Sequence, residues 1–347
     1  MAYTTINKST DYFTTATWSG TGSQQTISLP FQADWIWVKR RNSSANHAAQ
    51  DIVNSFGNRL SPDRSVALGS EPNGIGTVSG SGFNFQGDYA GSGYNESGGT
   101  YVSWNWKAGT ASGISGGTIT PSAYSINTTS GFGVYKWSGT GSAGTIAHGL
   151  GAVPKMIIVK RVDSADTWWI YHSALGNNDA YLALNEQNAV STSGGGALWN
   201  STGPTSSVFS VGTNTGVNGS GGTYVAYVFV EKTGYSKISS WTGNGNADGA
   251  FAYCGFKPRW LLLKNTAITA SWVLVDSERD TANSVSKALF PDANSAEYDY
   301  TDLFDFVSNG IKVRNNGNAW SGSGQSIAFM AFGQSLVGTN NIPVTAF

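Results

Sequence analysis

One pentapeptide pattern occurs three times in this chain. Trp18-Ser-Gly-Thr-Gly22 returns as Trp137-Ser-Gly-Thr-Gly141 and again as Trp241-Thr-Gly-Asn-Gly245, in each case after an alternating stretch such as Val134-Tyr-Lys-Trp137. Each copy reads as a strand running into a tight turn. Downstream lie Asp34-Trp-Ile-Trp-Val-Lys-Arg-Arg41, Pro154-Lys-Met-Ile-Ile-Val-Lys-Arg161 and Pro258-Arg-Trp-Leu-Leu-Leu-Lys264. Their lysines, Lys39, Lys160 and Lys264, fall 21, 23 and 23 residues after the marker tryptophan. Farther on, Gly98-Gly-Thr-Tyr-Val-Ser-Trp-Asn-Trp106 matches Gly221-Gly-Thr-Tyr-Val-Ala-Tyr-Val-Phe229 and, more loosely, Gly324-Gln-Ser-Ile-Ala-Phe-Met-Ala-Phe332. Tyr101, Tyr224 and Ile327 follow their markers by 83, 87 and 86 residues. The chain is therefore three copies of about a hundred residues in tandem, each long enough to enclose a small core.

Within a copy the apolar residues alternate or run for four to eight positions between Gly, Ser, Asn and Pro clusters, as in Tyr181-Leu-Ala-Leu, Val208-Phe-Ser-Val and Ser271-Trp-Val-Leu-Val. That is strand patterning, and turn signals about every ten residues point to antiparallel sandwiches. The expected fold is all-β, three tandem antiparallel β-sandwich (jelly-roll-like) domains. The boundaries are an N-terminal arm at 1–11, repeat 1 at 12–109, a Gly/Ser/Thr linker at 110–129, repeat 2 at 130–233, and repeat 3 with a C-terminal tail at 234–347. Ile119 and Tyr124 could dock the linker on a neighbour.

Charge narrows the partners. With 20 basic and 21 acidic side chains, no surplus exists to neutralise a nucleic-acid backbone or an anionic membrane. A lone cysteine, Cys254, excludes an intrachain disulfide or a CxxC metal site. The opening Met-Ala-Tyr-Thr-Thr-Ile-Asn-Lys has no apolar h-region and no run of 18 apolar residues occurs, so a soluble chain made in the cytosol is expected.

Most chemical motifs fail on context. Gly139-x-Gly141-x-x-Gly144 fits a dinucleotide fingerprint, which requires a following helix. The sister copies place Gln25 and Asp248 at the third glycine, so a turn needing positive φ explains the shared pair. Gly113-x-Ser115-x-Gly117 resembles a nucleophile elbow but lies in the linker. His47, His148 and His172 have no metal-site spacing and read as turn or strand surface. Glu297, Asp299, Asp302 and Asp305 could hold calcium only by converging. A solvated alternating strand, with Tyr298 and Tyr300 on the opposite face from the acids, needs no ion. No catalytic residue, metal or cofactor is expected, and the chain does not read as an enzyme.

Aromatic rings on a rigid β surface can stack on sugars. Trp18, Trp137 and Trp241 recur, as do Trp168 and Trp272 at 31 residues beyond their markers, and recurrence argues for packing. The tryptophans without such counterparts, Trp169 (matched by Val273), Trp199 and Trp320, are the candidate ligand-binding residues.

The combination of Gly131-Phe-Gly-Val-Tyr-Lys-Trp-Ser-Gly-Thr-Gly-Ser, Ala147-His-Gly-Leu-Gly-Ala-Val-Pro-Lys-Met-Ile-Ile-Val-Lys-Arg161, Trp169-Ile-Tyr-His-Ser173 and Gly221-Gly-Thr-Tyr-Val-Ala-Tyr resembles the tandem β-repeat virion proteins of tailed bacteriophages, built on a domain of unknown function. The resemblance covers residues 1–334. It implies a virion structural protein of tail-fibre or appendage type, made in the bacterial cytoplasm, with no established catalytic or metal-binding residues. Copy 1 departs from the pattern with Ile27-Ser-Leu-Pro-Phe, and copy 3 lacks the basic pair after Lys264. The expected role is an adhesin attached to the particle through its N-terminal region and contacting a host surface glycan or protein. Other virion proteins are the expected partners, and a homo-oligomer, such as a trimer, is expected. The alternative is a head-decoration or fibre-base protein that touches only virion subunits; a capsule depolymerase is least supported. A large apolar patch on the first copy or its arm would favour docking, and a distal aromatic-lined groove would favour receptor binding.

Overall fold

The computed structural model describes residues 3–85 and 93–338. The first two residues of the expected arm, a short piece of repeat 1 and the tail at 339–347 lie outside the described residues. The chain is all-β, with every strand pairing between named strands antiparallel. The longest described helix, Gly195–Trp199, has five residues.

Each repeat builds an inner sheet with one strand order. In repeat 1 the order is Phe13–Ser19, Thr100–Trp106, Trp35–Arg40, Ala48–Asp51. Repeat 3 repeats it with Ser236–Thr242, Ser326–Gln334, Lys257–Asn265 and Val273–Asp276. Repeat 2 has the same four strands, Phe132–Ser138, Thr223–Phe229, Met156–Arg161 and Trp168–His172, with one more strand at each edge. The added strand Ala123–Asn127 comes from the segment expected to be a linker. Its pairing with Phe132–Ser138, and the bridges from Gly117 and Ile119 to Ile146, make that segment part of repeat 2. The marker residues meet in register: Trp18 opposite Tyr101, Trp137 opposite Tyr224 and Trp241 opposite Ile327.

The inner strands Thr100–Trp106 and Thr223–Phe229 are buried along almost their whole length. Period-two alternation gives them two faces, and both are covered. Tyr101 in repeat 1 and Tyr224, Ala226 and Val228 in repeat 2 face the repeat's own second layer. Val102, Trp104 and Trp106, with Val225, Tyr227 and Phe229, face a core shared by all three repeats. Repeat 3 follows suit, with Ile327, Phe329 and Ala331 on its own side and Met330 and Phe332 on the shared side. Trp35 lies between Trp106 and Tyr227 with centroids 4.3 Å away on either side, and Phe13 stacks on Phe332 at 4.9 Å. The expected row of self-contained domains is thus three small cores around a fourth common one. Large aromatics are what close it, because no single repeat can cover both faces of its inner sheet.

Polar contacts around that core close a cycle. Trp168 of repeat 2 donates its indole N–H to the carbonyls of Ser61 and Arg64 in repeat 1, at 3.0 and 3.1 Å. Trp272 of repeat 3 donates to Ala183 of repeat 2 at 2.8 Å. The corresponding position in repeat 1 is His47, eight residues after Lys39 just as Trp168 and Trp272 follow Lys160 and Lys264 by eight. Its Nε2 meets the carbonyl of Phe290 in repeat 3 at 3.0 Å, while Nδ1 accepts from the Trp37 indole at 2.9 Å. Repeat 2 thus rests on 1, repeat 3 on 2 and repeat 1 on 3. The arm joins the same closure: the Ser9 amide donates to Gln334 at 2.7 Å and the Tyr3 hydroxyl to the carbonyl of Gly255 at 2.7 Å.

Candidate functional site

The glycine pairs of the three markers are structural. Gly22, Gly141 and Gly245 all have positive φ, near 70°, a region that costs a side chain about 1–2 kcal/mol. A Cβ on the first glycine, Gly20, Gly139 or Gly243, would collide with the carbonyl oxygen of Glu96, Gly219 or Gly322. In the first two copies one asparagine clamps the turn. Asn218 accepts from the Thr140 amide at 3.0 Å and donates to the Ser142 carbonyl at 2.7 Å, and Asn95 does the same for Thr21 and Ser23 at 3.1 and 2.6 Å. The turn's amides and glycines are thus committed to the fold.

The histidines are not on the surface as expected: all three are buried. Each accepts an N–H at Nδ1 and directs Nε2 at a backbone carbonyl, His148 from Leu150 and to Thr205, His172 from Ala174 and to Phe329. Burial lowers the His172 pKa to about 4 and pushes that of His47 well below its usual value. Neutral imidazole is the stable form at these packing sites.

The four carboxylates do not form the expected solvated row. Glu297 precedes the strand Tyr298–Val307 and turns inward, held by Arg41 (2.9 Å) and Arg279 (2.7 Å). Burial opposes its charge, but these guanidinium groups keep its pKa below the ordinary value. Arg279 also grips Asp276 at 2.7 Å, and Asp276 accepts from the Trp104 indole at 2.9 Å, so this network ties repeat 1 to repeat 3. Asp305 pairs with Arg314 at 2.5 Å, and Asp302 accepts from Ser284 at 2.9 Å.

Of the three candidate tryptophans, Trp199 is 2% exposed at the end of its helix, edge-on to Tyr171, and offers no ring face to a ligand. Trp169 is half-buried on Gly216, with its indole N–H on Asp166 at 3.2 Å and its ring against Tyr181. Trp320 is 5% exposed and has a counterpart after all. It stands seven residues before Ile327, as Tyr94 stands before Tyr101 and Val217 before Tyr224. The backbone carbonyls of Tyr94 and Trp320 accept from the indoles of Trp18 and Trp241, at 3.1 and 2.9 Å.

Trp320 nevertheless borders an opening large enough for a small ligand. A cleft of about 360 Å³ in repeat 3 is lined by Ser271, Val273, Phe290, Tyr300, Ala319 and Trp320, with Ala293 and Ser295 at its side. Small-molecule sites span about 300–1,000 Å³. Tyr298 and Tyr300, two apart on one strand, share a face as period two requires. Their ring centroids are 4.4 Å apart, and Tyr300 meets Trp320 edge-on at 5.1 Å. Tyr298, 56% exposed, extends this aromatic row into solvent. Polar groups frame the other side, where Gln187 of repeat 2 donates to the Ser271 hydroxyl at 3.1 Å. Asp292 accepts the Trp272 amide at 2.8 Å and interacts with Ser271; burial raises its pKa against those hydrogen bonds. Sequence reasoning missed Tyr298, Tyr300 and Phe290 as site residues, although the Tyr-x-Tyr spacing was visible.

Repeat 2 shows why the cleft is not repeated there. Trp169 and Val273 are equivalent, each nine residues after its buried lysine, and Gly216 and Ala319 are equivalent, each eight before the matched Tyr224 or Ile327. In repeat 2 the Trp169 indole lies against Gly216. In repeat 3 Val273 and Ala319 stand in those positions and line the cleft.

No curated protein matches this chain. Residues 8–335 match a family model described as Domain of unknown function (DUF7483). The match begins in the arm that docks on repeat 3 and ends just after the last inner strand, so it covers the closed three-repeat unit rather than one copy. The chain belongs to this family of unknown function, DUF7483.

Proposed function

We propose that this chain is a bacteriophage virion protein of appendage or tail-fibre type that recognises a host surface glycan or protein, with three jelly-roll-like sandwiches as its frame. The supporting observation is the aromatic-lined cleft of repeat 3, backed by a frame whose three repeats brace one another. Such a frame holds contact groups in place before binding, which limits the entropy lost on association. The motif resemblance supplies the virion setting. Because the repeats close around a common core, the chain serves as a compact head on a projection rather than as its shaft.

The alternative, a component that contacts only other virion subunits, draws on a second feature. Where the arm meets repeat 3, Tyr3, Phe251, Tyr253 and Leu336 are 39–60% exposed, and the Tyr3 hydroxyl bonds the carbonyl of Gly255 beside Tyr253. Apolar exposure next to both described ends of the chain suits attachment to a particle. An adhesin needs such an attachment face as well. Cryo-electron microscopy of intact particles separates the readings. The chain at an exposed tip with the cleft outward supports recognition, whereas a cleft covered by capsid or tail subunits leaves the structural role.

A further inference from the structure

We propose that the cleft of repeat 3 is a binding site for a neutral saccharide, one site per chain, with one pyranose ring lying on the exposed ring of Tyr298 at its mouth and hydroxyls turned to Ser271 and Ser295. This deepens the recognition reading and rests on it for its biological setting, but its chemistry follows from the site itself.

Three features select the ligand class. Tyr298, 56% exposed, offers a ring that the C–H face of a sugar can cover, and Tyr300 and Trp320, tilted and edge-on to it in turn, carry the aromatic wall into the cleft. The opposite wall carries a hydroxyl, Ser271, whose orientation is set by the Gln187 amide and the Asp292 carboxyl. Polar groups held in place beside an apolar wall are what orient a small polyol. None of the eight residues lining the cleft is charged, and Asp292 stands behind Ser271. The lysines beside it, Lys264 near Asp292 and Lys39 at Asn294, are buried and spend their ammonium groups on backbone carbonyls. An acidic sugar would find no cationic side chain in the cleft wall to replace its lost hydration, so neutral sugars are preferred.

The threefold repeat does not imply three sites. In repeat 2 the Trp169 indole lies in the equivalent position and Val217 replaces Trp320; in repeat 1 the equivalent residues, Ala48 and Tyr94, are buried. That comparison also supplies a blocking variant that borrows a solution the fold already uses. Val273→Trp with Ala319→Gly reproduces the Trp169–Gly216 pair of repeat 2 and fills the cleft.

The experiment is calorimetric titration of the full chain with maltotriose, mannotriose, cellotriose and triacetylchitotriose, with sialyllactose and trigalacturonate as acidic comparators. Saturable binding of at least one neutral trisaccharide is expected, with a dissociation constant on the order of 1 mM or tighter and one site per chain. Tyr298→Ala, at an exposed ring, should weaken it about tenfold without lowering thermal stability, and V273W/A319G should abolish it. Absence of binding by every neutral probe, preference for the acidic ones, a stoichiometry of three, or binding unchanged in both variants would overturn the proposal. If the sugar binds in solution but the particle buries the cleft, the saccharide site stands and the host-recognition reading falls. If the cleft faces outward and no saccharide binds, the reverse holds.

Discussion

The hydroxyl of Tyr227 donates to Oδ2 of Asp51 across 2.7 Å, joining repeat 2 to repeat 1 where both side chains are fully buried. Asp51 spends its remaining capacity on Asn54, whose amide and side-chain nitrogen reach it at 2.8 and 3.0 Å. Tyr227→Phe keeps the ring stacked on Trp35 but removes one donor from a buried carboxylate. Such a loss costs about 1.5–3 kcal/mol. Urea denaturation should show the midpoint falling with an unchanged slope; a variant as stable as the parent would mean that Asp51 does not depend on the bond.

The shared core predicts that the repeats do not unfold separately. Trp35, Trp37, Trp104 and Trp106 of repeat 1 are at most 1% exposed because repeats 2 and 3 cover them. Each such side chain is worth roughly 1.5–3 kcal/mol on burial. Tryptophan fluorescence and far-ultraviolet dichroism should therefore report one coincident transition for the full chain. A chain cut to residues 12–109 should bind hydrophobic dyes and show no sharp melt. Three resolved transitions would refute the closed arrangement.

Turn chemistry gives a contrast within one repeat. Gly139→Ala would drive a methyl group into the Gly219 carbonyl, whereas Gly151, at positive φ (73°), has open space around it. The Gly151→Ala variant should lose only the backbone term of about 1–2 kcal/mol. Gly139→Ala should lose more, or fail to fold, and the order of the two melting temperatures decides the point.

Strand pairing was legible because spacing encodes it: the 87 residues from Trp137 to Tyr224 set two strands opposite each other, and the structure pairs those two residues. The apolar run Tyr224–Phe229 also carried the sign of a strand covered on both faces. Closure of the three repeats was hidden by a substitution in type. His47 takes the place of Trp168 and Trp272, and a histidine among tryptophans does not look like a repeat until positions are counted from the buried lysines. The acceptors, Ser61, Ala183 and Phe290, work through backbone carbonyls, so no side-chain pattern marks them. The cleft was harder still. It depends on what is missing at Val273 relative to Trp169, and on where Tyr298 and Tyr300 point once Glu297 has been drawn inward by two arginines.

The recurrent lysines predict an unusual alkaline response. Lys39, Lys160 and Lys264 are buried at equivalent positions, each donating to the carbonyl of the next residue at 2.6–2.7 Å. Burial lowers the pKa of each to about 8, against about 10.4 in an unfolded chain. Below about pH 8 both states hold the protons and the folded chain bears the full cost of three buried charges. As pH rises above about 8 the folded state releases protons that the unfolded state still binds, so the free energy of unfolding increases. Buried tyrosines such as Tyr135, Tyr227 and Tyr235, held well above their usual pKa, act in the opposite sense, but only once unfolded phenols ionise near pH 10. Urea midpoints should therefore climb between about pH 7.5 and 9.5, and replacing all three lysines by methionine should flatten the climb. A midpoint that falls across this window would show that the three ammonium groups are better solvated than their burial implies.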